Sequence, residues 1–308
     1  MGEISPALYR AGSGEPVLLL HGFTGAWHHW RPVLGELAAR YEVIAPTLVG
    51  HDGGPPLPAG MGISYDEATD VLEAHMDELG LGTAHVVGNS MGGALALSLA
   101  KRGRARSVVA LAPAGGWNRG DGEARRLGRF FARQIRITRA TASRIERLVR
   151  RPTPRKYALR EIMRHGELVQ PADAAALALS ALRCEVADRA IAALAADESV
   201  LLLGDLDRIT CPVLMATPQF DRVLPPPLHA PRYRREIPGV EAITLPDCGH
   251  VPMWDDTALV VRTITGFVDR HTAPAPATAP DAQAPSPDAP ADAPGVGEAS
   301  GPGLVSAP

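Results

Sequence analysis

The chain has 308 residues, 45% of them hydrophobic, which is enough for a full-sized core and one or two domains. A formal net charge of -3 argues against a wholesale polyanion binder, which would carry a clear excess of Lys and Arg. Cys184, Cys211 and Cys248 are odd in number and widely spaced, without a CxxC pair, so they read neither as a disulfide framework nor as a zinc site.

The opening MGEISPALYR lacks the basic-then-apolar build of a signal peptide. No apolar run approaches bilayer length, so a cytoplasmic protein with no membrane partner is expected. In chain order, Pro16–Leu20 reads as a buried strand, Ala26–Arg40 as a helix and Tyr41–Ala45 as a strand. Ser64–Leu79 is an amphipathic helix, His85–Gly88 a strand, Met91–Arg102 a helix and Ser107–Ala112 a strand. This alternation predicts an α/β fold with a mostly parallel sheet covered by helices on both faces.

Residues 118–205 break the rhythm with Arg-rich and then Ala/Leu-rich helical patterns, interrupted by Pro152 and Pro154. Alternation resumes with strands at Pro212–Ala216 and Glu241–Leu245 and a helix at Asp256–Arg270. The expected organisation is a core of residues 1–117 and 206–272 with a helical insertion between its halves. Residues 273–308, rich in Pro, Ala and Gly and without an apolar period, read as a disordered tail.

Gly88-Asn89-Ser90-Met91-Gly92 matches G-x-S-x-G, between an apolar strand and a small-residue helix. A sharp strand-to-helix turn there would present Ser90 as a nucleophile. A serine needs a base, and a group that orients the base. Among ten histidines, His250 follows a strand and precedes the last helix, above the carboxyl edge of the sheet. His28, His29, His75 and His165 read as helical surface positions, and His51 as a loop residue bordering the site. Asp221, a few residues past the strand CPVLMA, is the candidate acid; Asp205, Asp207 and Asp247 are its rivals. Backbone N–H groups of Phe23 and Met91 are candidates for an oxyanion hole, with Phe23, Met91 and Trp254 as substrate contacts. No metal constellation, dinucleotide loop or Walker motif is present, and no cofactor is expected.

HGFTG at 21–25, GNSMGG, the aspartate of QFDRVLPP and the histidine of CGHVPMW together resemble the serine α/β-hydrolase superfamily. They look most like its branch of carboxylesterases and meta-cleavage-product hydrolases, over residues 7–272. The resemblance implies that residues 118–205 cap the active site. It also implies that an elbow serine sets the chain apart from haloalkane dehalogenases and epoxide hydrolases, which place an aspartate there. Two departures stand out: the aspartate-led loop of the family reads Thr47-Leu48-Val49-Gly50-His51-Asp52-Gly53-Gly54, and the N-terminal strand pair is short.

Between Asp121 and His165 fourteen basic residues face four acids, a net of +10 that leaves −13 for the rest of the chain. The usual meaning is a solvated helix face. The alternative is an arginine reaching inward to grip a substrate carboxylate, which would favour a dienoate. The leading expectation is hydrolysis of a small or medium apolar ester through an acyl-serine. The alternatives are carbon–carbon bond hydrolysis with the same triad, or a homologue that binds a ligand without turning it over. Oligomeric state is not legible.

Overall fold

A computed structural model describes residues 2–197 and 199–272; the segment read as a tail lies outside the described residues. Eight strands form one sheet. They are β1 (Glu3–Ile4), β2 (Leu8–Ala11), β3 (Pro16–Leu20), β4 (Glu42–Pro46), β5 (Ala84–Asn89), β6 (Ala105–Leu111), β7 (Val213–Pro218) and β8 (Glu241–Leu245). Their order is β1-β2-β4-β3-β5-β6-β7-β8. β2 alone runs against the others, pairing antiparallel with both β1 and β4, and pairing from β4 through β3, β5, β6 and β7 to β8 is parallel.

Strand side chains alternate between faces, so each valine-rich strand feeds two cores. Val17, Leu19, Val87 and Val109 pack with α1 (Arg31–Ala38) and α10 (Thr257–Arg270). Leu18, Leu20, Val86 and Val108 pack with α2 (Tyr65–Glu78) and α3 (Met91–Lys101). Helix starts follow their caps. Ser64 Oγ accepts from Glu67 N at 3.2 Å and donates to the Glu67 carboxylate at 2.7 Å, and Asp256 accepts from Leu259 N at 2.8 Å.

The stretch between β6 and β7 is helical throughout its regular structure: α4 (Glu123–Thr141), α5 (Ile145–Arg150), α6 (Pro152–Leu159), α7 (Pro171–Ser180) and α8 (Ala187–Ala196). Between β7 and β8 lies α9 (Pro226–Glu236), for which the sequence pattern indicates no element. Pro225, Pro226 and Pro227 read as breakers. Yet a proline in the first helical turn costs nothing, because its missing N–H would have had no helical acceptor. His29 also departs from expectation: it is buried, and burial lowers its pKa to about 3. No helix among the described residues is long and apolar enough to cross a membrane.

Candidate active site

The site is built at the carboxyl ends of β3, β5, β7 and β8. Ser90 links β5 to α3 with φ 56° and ψ −118°, a backbone conformation that L-residues rarely adopt. Close packing enforces it. A Cβ on Gly88 would overlap the Gly92 carbonyl, and one on Gly92 would overlap the Leu20 carbonyl. The turn is braced by Ser90 N donating to Leu111 O at 3.0 Å and by Ala114 N donating to Ser90 O at 3.0 Å.

The loop after β3 presses against this turn, since a Cβ on Gly22 would stand 3.1 Å from Ser90 Cβ. Phe23 N–H has no partner among the described residues, and Met91, the first residue of α3, has no helical acceptor for its own. His21 holds the loop in place. Its Nδ1 donates to Gly22 O at 2.8 Å, and its Nε2 accepts from Leu48 N at 2.9 Å, which fixes the neutral tautomer. Burial, with His51 nearby, depresses its pKa well below the ordinary range. The HGFTG motif by itself assigns His21 no role. Its position directly after a buried strand, ahead of two glycines, was the available signal.

His250 and Asp221 meet. His250 Nδ1 donates to Asp221 Oδ2 at 2.8 Å, and both side chains are buried. The other carboxylate oxygen accepts from Val223 N at 2.9 Å and Leu224 N at 2.7 Å. Asn89 Nδ2 donates to His250 O at 2.9 Å, tying the histidine loop to the residue before Ser90. No hydrogen bond joins Ser90 Oγ to the imidazole among the described residues. The rival acids lie elsewhere. Asp247 is exposed and pairs with His165 and Arg164, whose hydrogen bonds lower its pKa. Asp205 and Asp207 are exposed in the turn before β7.

Ser90, Phe23 and Met91 share the wall of a pocket of about 930 Å³ including its mouth. Leu48, His51, Ile63, Leu127, Phe131 and Leu194 are among the other residues lining it, and no charged side chain does so. Phe23 packs edge-on against Phe131 of α4 at 4.9 Å between ring centres. His51 donates from Nδ1 to Val49 O at 3.0 Å, and burial lowers its pKa to about 4.

One expectation is corrected, and one alternative is not met. Trp254 does not line the pocket: the short turn Pro252–Trp254 directs its indole N–H to His29 O at 2.9 Å, and the ring packs on the core around α1 and α10. Nor does an arginine of the insertion reach inward. Arg126 bonds Glu123 and Val223 O, Arg155 is spent on backbone carbonyls and Arg183 pairs with Asp52. Groups of His, Cys, Asp and Glu able to hold a metal ion are absent among the described residues.

The comparisons with known proteins agree with this architecture. The family model described as "Alpha/beta hydrolase family" matches residues 17–263. Epoxide hydrolase EphH of Mycobacterium tuberculosis (strain ATCC 25618 / H37Rv) is 30% identical over 203 residues, covering 65% of this chain and 92% of that protein. The 2-hydroxymuconate semialdehyde hydrolase of Pseudomonas sp. (strain CF600) is 36% identical over 143 residues, 41% of this chain and 50% of that one. A solved thermophilic esterase from Thermogutta terrifontis superposes with a TM-score of 0.65 at 25% identity, covering 86% of this chain and 93% of its own. With its sheet order, its strained strand-to-helix turn and its matched length, the chain belongs to the alpha/beta hydrolase family and is a hydrolase.

Proposed function

We propose that the chain is a serine carboxylesterase for small or medium, neutral, apolar esters, with Ser90, His250 and Asp221 as nucleophile, base and acid. The observation that carries this reading is the pocket itself: Ser90 lies on the wall of a cavity that no charged side chain enters, while the buried Asp221–His250 pair is tied to the residue before it.

In this reading His250 Nε2 takes the Ser90 hydroxyl proton as Oγ attacks the ester carbonyl carbon. The resulting oxyanion accepts from the N–H groups of Phe23 and Met91. The carbon–oxygen bond of the leaving alcohol then breaks, and His250 returns the proton to that alcohol. Water, activated by the same imidazole, attacks the acyl-serine and releases the acid and the free serine. Helices α4–α8 act as the cap, since Leu127, Phe131 and Leu194 bring apolar walls to the pocket.

Serine at the elbow speaks against the reaction in the name of the Mycobacterium relative. A serine oxygen opening an epoxide would form an alkyl ether, which has no carbonyl for water to attack, so the enzyme would stop after one turnover. The semialdehyde hydrolase among the relatives suggests carbon–carbon cleavage instead. An anionic dienoate would have to shed its hydration in this pocket without a cation to receive it.

The test is steady-state hydrolysis of a neutral aryl butyrate beside a meta-cleavage dienoate. Turnover of the ester, with the dienoate slower by at least two orders of magnitude, is expected. Faster cleavage of the dienoate would overturn the substrate class, and turnover of neither would favour a ligand-binding homologue.

A further inference from the structure

The arginine-rich part of the insertion has two sides with different chemistry. Leu127 and Phe131 of α4 face the pocket. On the outer side of the same helix Arg129, Arg133 and Arg136 are exposed, and Arg144, Arg147 and Arg151 continue the series along α5. The side chains of these six form no ion pair with any described residue. Like charges at such spacing repel one another, and the usual remedy, an acid one turn away, is missing for most of them.

Large apolar side chains stand out among these cations. Ile137 is 45% exposed directly after Arg136, Leu148 is 41% exposed beside Arg147, and Tyr157 is 63% exposed beside Lys156. Tyr157 also borders a shallow groove with Lys156, Arg160, Arg164, Arg222 and Phe220, and the Arg164 guanidinium stacks over the Phe220 ring at 4.5 Å. The groove therefore sets Arg222, unpaired among the described residues, beside two aromatic rings, while Lys156, Arg160 and Arg164 hold Glu167, Glu161 and Asp247.

We propose that this outer face of the insertion docks on an anionic phospholipid surface, with lipid phosphates received by the six unpaired arginines and by Arg222 at the groove. Two features favour a bilayer over a nucleic acid. Exposed Ile, Leu and Tyr side chains can enter the headgroup–acyl boundary but would gain nothing from a phosphodiester backbone. The net of +10 carried by residues 121–165, in a chain of −3, complements an anionic leaflet while the rest of the molecule is held off it. The absence of a spanning helix among the described residues does not bear on such peripheral docking.

Co-sedimentation of the full chain with vesicles tests this. One set is phosphatidylcholine alone; the other is equal parts phosphatidylcholine and phosphatidylglycerol. The account expects binding to the second set only, weakening as salt rises. In a triple variant R133Q/R136Q/R147Q partitioning should fall by about a hundredfold, since each arginine near an anionic surface contributes about fivefold. That variant should hydrolyse a water-soluble short ester at the wild-type rate, which separates loss of docking from loss of fold. Equal binding to both vesicle sets, binding to neither, or displacement from the anionic vesicles by a single-stranded oligonucleotide at lower concentration than by inorganic phosphate would overturn the proposal.

Discussion

Asp221 keeps both carboxylate oxygens occupied, one by His250 Nδ1–H and the other by the N–H groups of Val223 and Leu224. Replacing it with Asn would leave the amide oxygen on the two backbone donors and turn the amide nitrogen toward His250. The imidazole would then have to present a bare Nδ1 to the amide, which puts its proton on Nε2, facing the serine it should deprotonate. On this geometry Asp221→Asn should fold normally and lose roughly three to four orders of magnitude in kcat on a short ester. A loss below tenfold would remove Asp221 from the role of orienting acid. The buried histidines carry a second expectation. His21, His29 and His51 are all held neutral by burial, His29 with a pKa of about 3 and His51 of about 4. Unfolded, each would bind a proton near pH 6.5, so below that value the unfolded chain takes up more protons than the folded one. Stability should be unaffected by these groups above pH 7 and should fall as pH drops from 6.5 toward 4, by up to about 1.4 kcal/mol per pH unit for each histidine. Denaturant unfolding of His51→Gln against wild type at pH 7 and pH 5 checks it. The variant should show the shallower loss.

At the level of elements, the start of α4 is fastened to the acid loop. Glu123 accepts from His229 Nε2 at 3.1 Å, and Arg126 reaches both Glu123 and the Val223 carbonyl. Burial outweighs the pull of the carboxylate and lowers the His229 pKa, so the imidazole donates as a neutral group. Glu123→Ala would strand that buried donor and is expected to cost about 2 kcal/mol in denaturant unfolding. It should also raise KM more than it lowers kcat, because α4 supplies the pocket wall and not the reacting groups. Elements of this kind were unevenly legible in the sequence. Pro16–Leu20 was readable to the residue, because a buried parallel strand is an unbroken apolar run bounded by turn residues, and Glu241–Leu245, an edge strand exposed except at Leu245, was readable from its β-branched Ile and Thr. The candidate triad was legible because elbow chemistry fixes local spacing and the fold fixes chain order. By contrast, α9 was hidden by its prolines, and β1 and β2 are too short to show a period. Trp254 was misjudged because sequence gives its distance from His250 along the chain but not the direction in which a tight turn sends its ring. The direction of the insertion's arginines was open for the same reason: helical spacing places them on a face, and only packing decides which face is inward.

Across the whole molecule, charge and apolar surface are sorted against each other. The insertion carries the positive charge outside and hydrocarbon inside, while the pocket excludes every ionised side chain. Substrate choice should follow from that separation. A carboxylate added to the acyl chain of a good ester substrate should lower kcat/KM by at least two orders of magnitude, because the pocket offers nothing to replace its water. The comparison of a butyrate with the matching succinate monoester, at saturating and subsaturating concentration, measures it; equal specificity constants would mean that the pocket holds a cation the geometry does not provide. The central claim, an activated serine at the β5–α3 turn, is tested most directly by a fluorophosphonate probe with peptide mapping of the adduct. The account requires one rapid adduct on Ser90, abolished in His250→Ala and strongly slowed in Asp221→Asn. A folded wild-type protein that takes no label, or that takes it equally fast without His250, would contradict it.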